Sequence, residues 1–262
     1  MNRSVTRPVL RSLLLAALVG CSGWVQAQEL SLPAAINNSI WLASASQRIT
    51  RAYTQIALNV VPDRGQKVRS FAAGVIAKNS AELAAVAPKY THDNSFVGMD
   101  GRFKQFLTLV DGTPDTKNLK AINDQAEALM GEAMRMSQAL EKVGGGKSKV
   151  VASAARVRMY SQRLAKLYLL EQAGTLKSDA EIARLRTEVG NELKFLQSAP
   201  ISTPQIQNNV DLLAQQWVFM DKAVSSPKSD TVMRDVATTS DRMFDLAHQL
   251  AGQYETALSA IN

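Results

Sequence analysis

Three arginines, Arg156, Arg158 and Arg163, stand close together in the stretch VVASAARVRMYSQRLAKLYLLEQ at residues 150–172, among small and apolar neighbours. A guanidinium stays charged and offers five N–H donors in a planar fork, suited to carboxylates and to planar oxyanions. At about 100° per residue, Ala154, Arg158, Ser161, Ala165, Tyr168 and Gln172 fall in one helical stripe. Small residues in that stripe let a second helix come close, so Arg158 is expected at a tight helix–helix seam. A charge there needs a carboxylate, carbonyl oxygens, water or a bound anion. Two readings follow: a structural ion pair with an acidic residue of a facing helix, or an anion-binding arginine. Arg156 and Arg163 lie on the opposite side of the helix, within about 20° of each other, and are better placed for salt bridges. Ser161 and Gln162 add polar contacts to a ligand or satisfy the seam itself.

Other chemistry is thinly represented. Gly144-Gly145-Gly146-Lys147-Ser148 has the end of a phosphate loop, but Glu141 stands where its first glycine belongs and no strand precedes it. A flexible linker is the better reading. His92 and His248 are the only histidines; Asp245 and His248 share a helix face, yet no Glu-x-x-His pair is present for a di-metal bundle site. Six methionines, Met130, Met134, Met136, Met220, Met233 and Met243, read as core filling, and Trp217 and Phe219 as bundle interior. No nucleophile–base pair or opposed carboxylates stand out. The chain is read as a non-enzyme without metal or cofactor.

The elements that must position these arginines are helices. Apolar spacings of three and four recur in patterns broken at Pro62, Pro88, residues 111–114, residues 144–146, Gly174, residues 198–201 and residues 225–227. Ser178 with Glu181 predicts a capping box, and Thr203 with Pro204 predicts a helix start. Phe71, Val75, Leu83 and Val86 are core candidates of the second helix. No segment alternates like a strand. The pattern gives eight helices in two sets of four, an all-α protein of two tandem up-down four-helix bundles. An internal repeat agrees: Ser46-Gln47-Arg48 precedes Ser161-Gln162-Arg163 by 115 positions, and the same offset pairs Arg51 with Lys166 and Tyr53 with Tyr168. The first unit spans residues 34–143, a glycine-rich linker 144–149, and the second unit 150–262.

Composition narrows the functional classes. The chain has 262 residues and a formal charge of +7, of which Arg3, Arg7 and Arg11 contribute three. The remaining excess is too mild, and too poor in clustered Lys, Arg and aromatic residues, to suggest nucleic acid. Residues 1–27 read as an export signal: a basic start, the apolar core LLLAALV at residues 13–19, and small residues Val25 and Ala27 at a cleavage site. Leu18-Val19-Gly20-Cys21 also fits a lipoprotein signal, with Cys21 as the lipidated residue. Both place the chain in the periplasm, soluble or lipid-anchored. Cys21 is the only cysteine, so cleavage after Ala27 leaves no thiol for an oxidising compartment.

The run AARVRMYSQRLAK at residues 154–166 resembles the signature helix of PilJ-type sensor domains, found at the front of type IV pilus chemotaxis transducers. It is similar too to the nitrate-sensing helix of NarX-type kinases. Ala154, Arg156, Arg158, Met159, Ser161, Gln162, Arg163, Ala165 and Lys166 match the pattern, and Ala155 replaces a glycine. The first copy, SIWLASASQRITR at residues 39–51, keeps Ser46, Gln47, Arg48 and a basic Arg51 but has Trp41, Ala43 and Ser44 at the two upstream arginines and the methionine. The resemblance implies a four-helix sensory module that binds a small anion, nitrate or nitrite first, with Arg158 as the ligand-binding arginine. It also implies that signature helices meet across a dimer. Here either the two units pack as a covalent pair, with Ala43 opposite Arg158, or a homodimer pairs two second units. The chain has no kinase region, so signalling needs a membrane receptor or transporter as partner. The competing function is a structural or assembly protein of the cell envelope that binds no ligand.

Overall fold

The computed structural model describes residues 30–90, 92 and 97–260. The expected export signal and Cys21 lie outside the described residues. Among the described residues there are helices and no strand, so the protein is an all-α helical bundle. The helices are α1 (Leu32–Ala57), α2 (Pro62–Tyr90), α3 (Met99–Asp111), α4 (Leu119–Gln172), α5 (Asp179–Gln197), α6 (Pro204–Val224) and α7 (Asp230–Ser259).

α1 and the second half of α4 form the centre. Both are rich in Ala and Ser, and both are buried on nearly every face, from Ala34 to Gln55 and from Val150 to Leu170. Small side chains permit that: two backbones approach closely, and the remaining helices then cover the pair from outside. α2 covers α1; α5 and α7 cover α4; α6 lies on α7. Serine and threonine hydroxyls in the central pair return to carbonyls of their own helix, as Ser44 Oγ does to Ile40 O at 2.8 Å and Thr50 Oγ1 to Ser46 O at 2.9 Å. They need no water in a dry seam.

Several helix ends follow the chemistry of their sequence. Thr203 accepts from Ile206 N at 3.3 Å with Pro204 at the first helical position, and Ser229 accepts from Val232 N at 3.2 Å. The capping box at Ser178 does not form. Its hydroxyl bonds Leu167 O and Glu171 Oε2 instead, and Glu181 is held by Arg163 and Arg184. Tertiary partners outbid a local cap. Pro88 does not end α2, which runs on to Tyr90.

The three glycines end one helical run and turn the chain back. α4 spans both runs, with Gly145 alone leaving helical geometry at φ +60° and ψ −158°. A glycine there reverses the chain: Glu127 and Lys166, 39 positions apart, meet at 2.5 Å, so the two helical arms of α4 run antiparallel. Among the described residues the fourth and fifth expected helices are therefore the two arms of α4, joined by a tight turn instead of an open linker. Gly65 serves closeness rather than conformation: a Cβ there would stand 2.9 Å from Ala52 O, where α2 crosses α1.

Two expected core residues lie outside. Phe71 is 66% exposed and Phe219 is 59% exposed, because Val68, Leu83 and Val86 of α2 and Leu213 and Met220 of α6 take the inward face. Met136, Met220 and Met243 are fully buried; Met130, Met134 and Met233 pack partly buried against the same core.

Candidate functional site

The two Ser-Gln-Arg segments occupy equivalent places in the central pair. Ser46 Oγ donates to Ala43 O and Ser161 Oγ to Arg158 O, each at 2.9 Å. Gln47 Nε2 donates to Ala126 O of α4 at 3.1 Å, and Gln162 Nε2 to Ser240 O of α7 at 2.7 Å. In both copies the amide oxygen, Gln47 Oε1 and Gln162 Oε1, is buried without a partner. Each glutamine therefore ties its signature helix to one covering helix. Neither Ser161 nor Gln162 bonds the Arg158 guanidinium; both bond within the seam.

The basic residues that follow are exchanged between the copies. Arg51 of α1 donates to Asp241 of α7 at 2.6 Å, and to Ala237 O and Ser240 Oγ. Lys166 of α4 reaches back to Glu127, in the first half of α4, at 2.5 Å. Both basic side chains are fully buried. Burial pushes the Lys166 ammonium down to about 8 against the pull of Glu127, while Lys166 and Arg163 together hold the Glu127 carboxyl below its usual range despite its own burial. At neutral pH both are charged. Arg163 also pairs with Glu127 and Glu181, and Arg156 with Glu141 and Glu192 at 2.9 and 2.5 Å. Arg48 stands 3.7 Å from Asp241, which Arg64 approaches equally, and its guanidinium covers the Phe244 ring at 3.8 Å.

Arg158 differs from all of these. It is 0% exposed, and among the described residues no carboxylate lies within ion-pair distance. Its Nη2 donates to Asn37 O at 3.1 Å, its Nε to Ser44 Oγ at 3.4 Å, and its Nη1 meets His248 Nδ1 at 3.0 Å. Asn37 and Ser44 belong to α1, so Arg158 sits at the junction of both signature helices with α7. An arginine only donates, so His248 Nδ1 is the acceptor and the ring proton lies on Nε2. Burial, and then repulsion from Arg48, draw the Arg158 guanidinium down to about 9, against a weaker opposite pull from Glu255. Partial desolvation, then Arg158 and Arg48, draw the imidazole of His248 down to about 4, so it is neutral at pH 7. Arg158 is thus a buried cation held by neutral groups.

His248 is the near wall of a cleft of about 510 Å³ between α1, α2 and α7, whose lining includes Trp41, Arg48, Lys67, Phe71 and Phe244. The cleft, His248 and Asp241 were not among the sequence-derived candidates. The faint signal was the register of Asp241, Asp245 and His248 on one face of α7, which carries no hint of the helix it meets. Among the described residues no cluster of three or more metal-ligating side chains occurs, and no helix is long and apolar enough to cross a membrane.

The fold and this geometry define an all-α bundle with a seam rich in buried, mostly paired cations. No protein-family model, no curated protein and no solved structure matches the chain.

Proposed function

We propose that the protein is a periplasmic sensory module that binds a small anion, nitrate or nitrite first, and passes its occupancy to a receptor or transporter in the membrane. Its body is read as two tandem four-helix units joined at the Gly145 turn, the first a degenerate copy of the PilJ-like second. The exchange of Arg51 and Lys166 between copies supports a covalent pair in which the first unit stands where a dimer partner would.

One observation carries the anion reading. Arg156, Arg163, Arg51 and Lys166 all have carboxylate partners, whereas Arg158 is fully buried with three neutral ones. An unpaired buried cation is costly, and a bound oxyanion supplies the missing charge through paired N–H donors. The anion takes the place of His248 Nδ1 on Arg158, which removes one of the ties between α7 and the seam and gives the partner something to read.

The structural reading has its own support: three polar atoms already satisfy Arg158, and every other buried base is paired. Calorimetry of the processed chain against nitrate, nitrite, chlorate and sulfate separates the two. Saturable nitrate heat that disappears in both Arg158→Met and Arg158→Lys, with melting retained in the lysine variant, supports the anion site. Nitrate binding that persists in both variants sinks the assignment. No heat with any of the four anions favours the structural reading.

A further inference from the structure

We infer that the cleft between α1, α2 and α7 is a second binding site, for a monocarboxylate with an apolar planar body. It goes beyond the anion at Arg158, because the residues that carry it belong to the cleft and not to the seam. Its volume, about 510 Å³, suits a small organic molecule and greatly exceeds what a three-oxygen anion fills.

The apolar part of the lining is aromatic. Trp41 is 6% exposed at the base, and Phe244 is buried beneath the Arg48 guanidinium. Phe71 stands at the rim, 66% exposed, a large apolar side chain left in water beside an opening that it could cover.

The polar part carries unspent capacity. Arg48 Nε is buried with no hydrogen bond, and the carboxylate nearest that side chain, Asp241, is held more tightly by Arg51, at 2.6 Å against 3.7 Å. Lys67 is exposed at the cleft and has no ion-pair partner among the described residues. These two cations face one carboxylate in the lining, Asp245, whose charge burial disfavours. One negative charge on the ligand balances the site; two would meet Asp245. Asn37 Oδ1 is buried without a donor at the inner end, so a hydroxyl or amine beside the carboxylate adds a bond there. His248 lines the cleft while accepting from Arg158, so the two sites share one wall.

The test is calorimetry of the processed chain with phenylacetate, with acetate (no planar body) and 2-phenylethanol (no charge) as comparisons. Phenylacetate is expected to saturate, and the other two to bind at least about tenfold more weakly. Lys67→Glu and Phe71→Ser each weaken phenylacetate by about tenfold. Both side chains are exposed, so melting is expected to stay unchanged. Arg158→Lys leaves phenylacetate affinity within about twofold, which separates this site from nitrate binding at the seam. No saturable phenylacetate heat up to about 10 mM, or affinity unchanged in either Lys67→Glu or Phe71→Ser, overturns the proposal. Equal affinity for 2-phenylethanol overturns the carboxylate. A parent chain that binds phenylacetate but gives no nitrate heat removes the seam site and leaves the cleft standing.

Discussion

Arg51 and Asp241 lie 190 positions apart in sequence, yet their side chains meet at 2.6 Å in the interior of the bundle. The residue 115 positions after Arg51, Lys166, makes the corresponding contact with Glu127. One base from each Ser-Gln-Arg helix therefore holds a covering helix of the other half, and the two halves cannot separate without stranding a charge.

Arg51 and Arg158 should respond differently to removal of their charge. Arg51→Met is expected to cost about 3 kcal/mol, since it leaves the Asp241 carboxylate to the two longer contacts from Arg48 and Arg64. Arg158→Met leaves only neutral acceptors, Asn37 O, Ser44 Oγ and His248 Nδ1, and removes an uncompensated buried charge. Its expected cost is about 1 kcal/mol or less. Urea denaturation of the two variants measures the difference; equal costs contradict the assignment of Arg158 as the unpaired cation.

Glu127 holds both Lys166 and Arg163, so Glu127→Gln should be among the most damaging single changes at the seam, at about 3–5 kcal/mol. The Lys166 ammonium is fully buried and loses its counter-charge. Adding Lys166→Met to Glu127→Gln should recover part of that loss, because the stranded charge goes as well. A double mutant less stable than Glu127→Gln alone rules out this explanation.

The depressed imidazole of His248 makes stability depend on acid. Its folded value of about 4 lies below the ordinary 6.5, so between those limits the unfolded chain binds the extra proton and the folded chain does not. Stability therefore falls as pH drops from about 6.5 towards 4. Solvent on the cleft side of the ring reduces the size of the effect. His248→Gln, which keeps an acceptor for Arg158, is expected to flatten this part of the pH profile in thermal melts. A profile identical to the parent's places the acid sensitivity elsewhere.

Gly145 and Gly146 are neighbours with opposite expectations. Gly145 sits at φ +60° and ψ −158°, a region open to glycine almost alone, so Gly145→Ala should lose about 2 kcal/mol. Gly146 has no positive φ, and a Cβ there meets open space. Gly146→Ala should gain up to about 1 kcal/mol through helix propensity. Differential scanning calorimetry checks both signs.

Much of this organisation was legible in the chain because it is periodic and local. Apolar spacings of three and four settled an all-α fold; the repeat of Ser-Gln-Arg at an offset of 115 marked two equivalent helices, and the alanines beside Arg158 marked a tight seam. The break at residues 144–146 was legible, since three glycines stop a helix, but that it is a tight reversal at Gly145 and not an open linker is decided by the packing of the two arms of α4 against each other. Phe71 and Phe219 were expected inside and lie outside, because a wide apolar stripe does not state which edge of it faces inward. The partners of the buried bases came only with the tertiary structure. Asp241, Glu127 and His248 carry ordinary side chains in ordinary helical registers, and nothing local distinguishes them from solvated neighbours. Which acid reaches which base depends on how α7 and the first half of α4 lie across the central pair. That crossing pairs Arg51 and Lys166, leaves Arg158 to neutral groups, and opens the cleft beside His248.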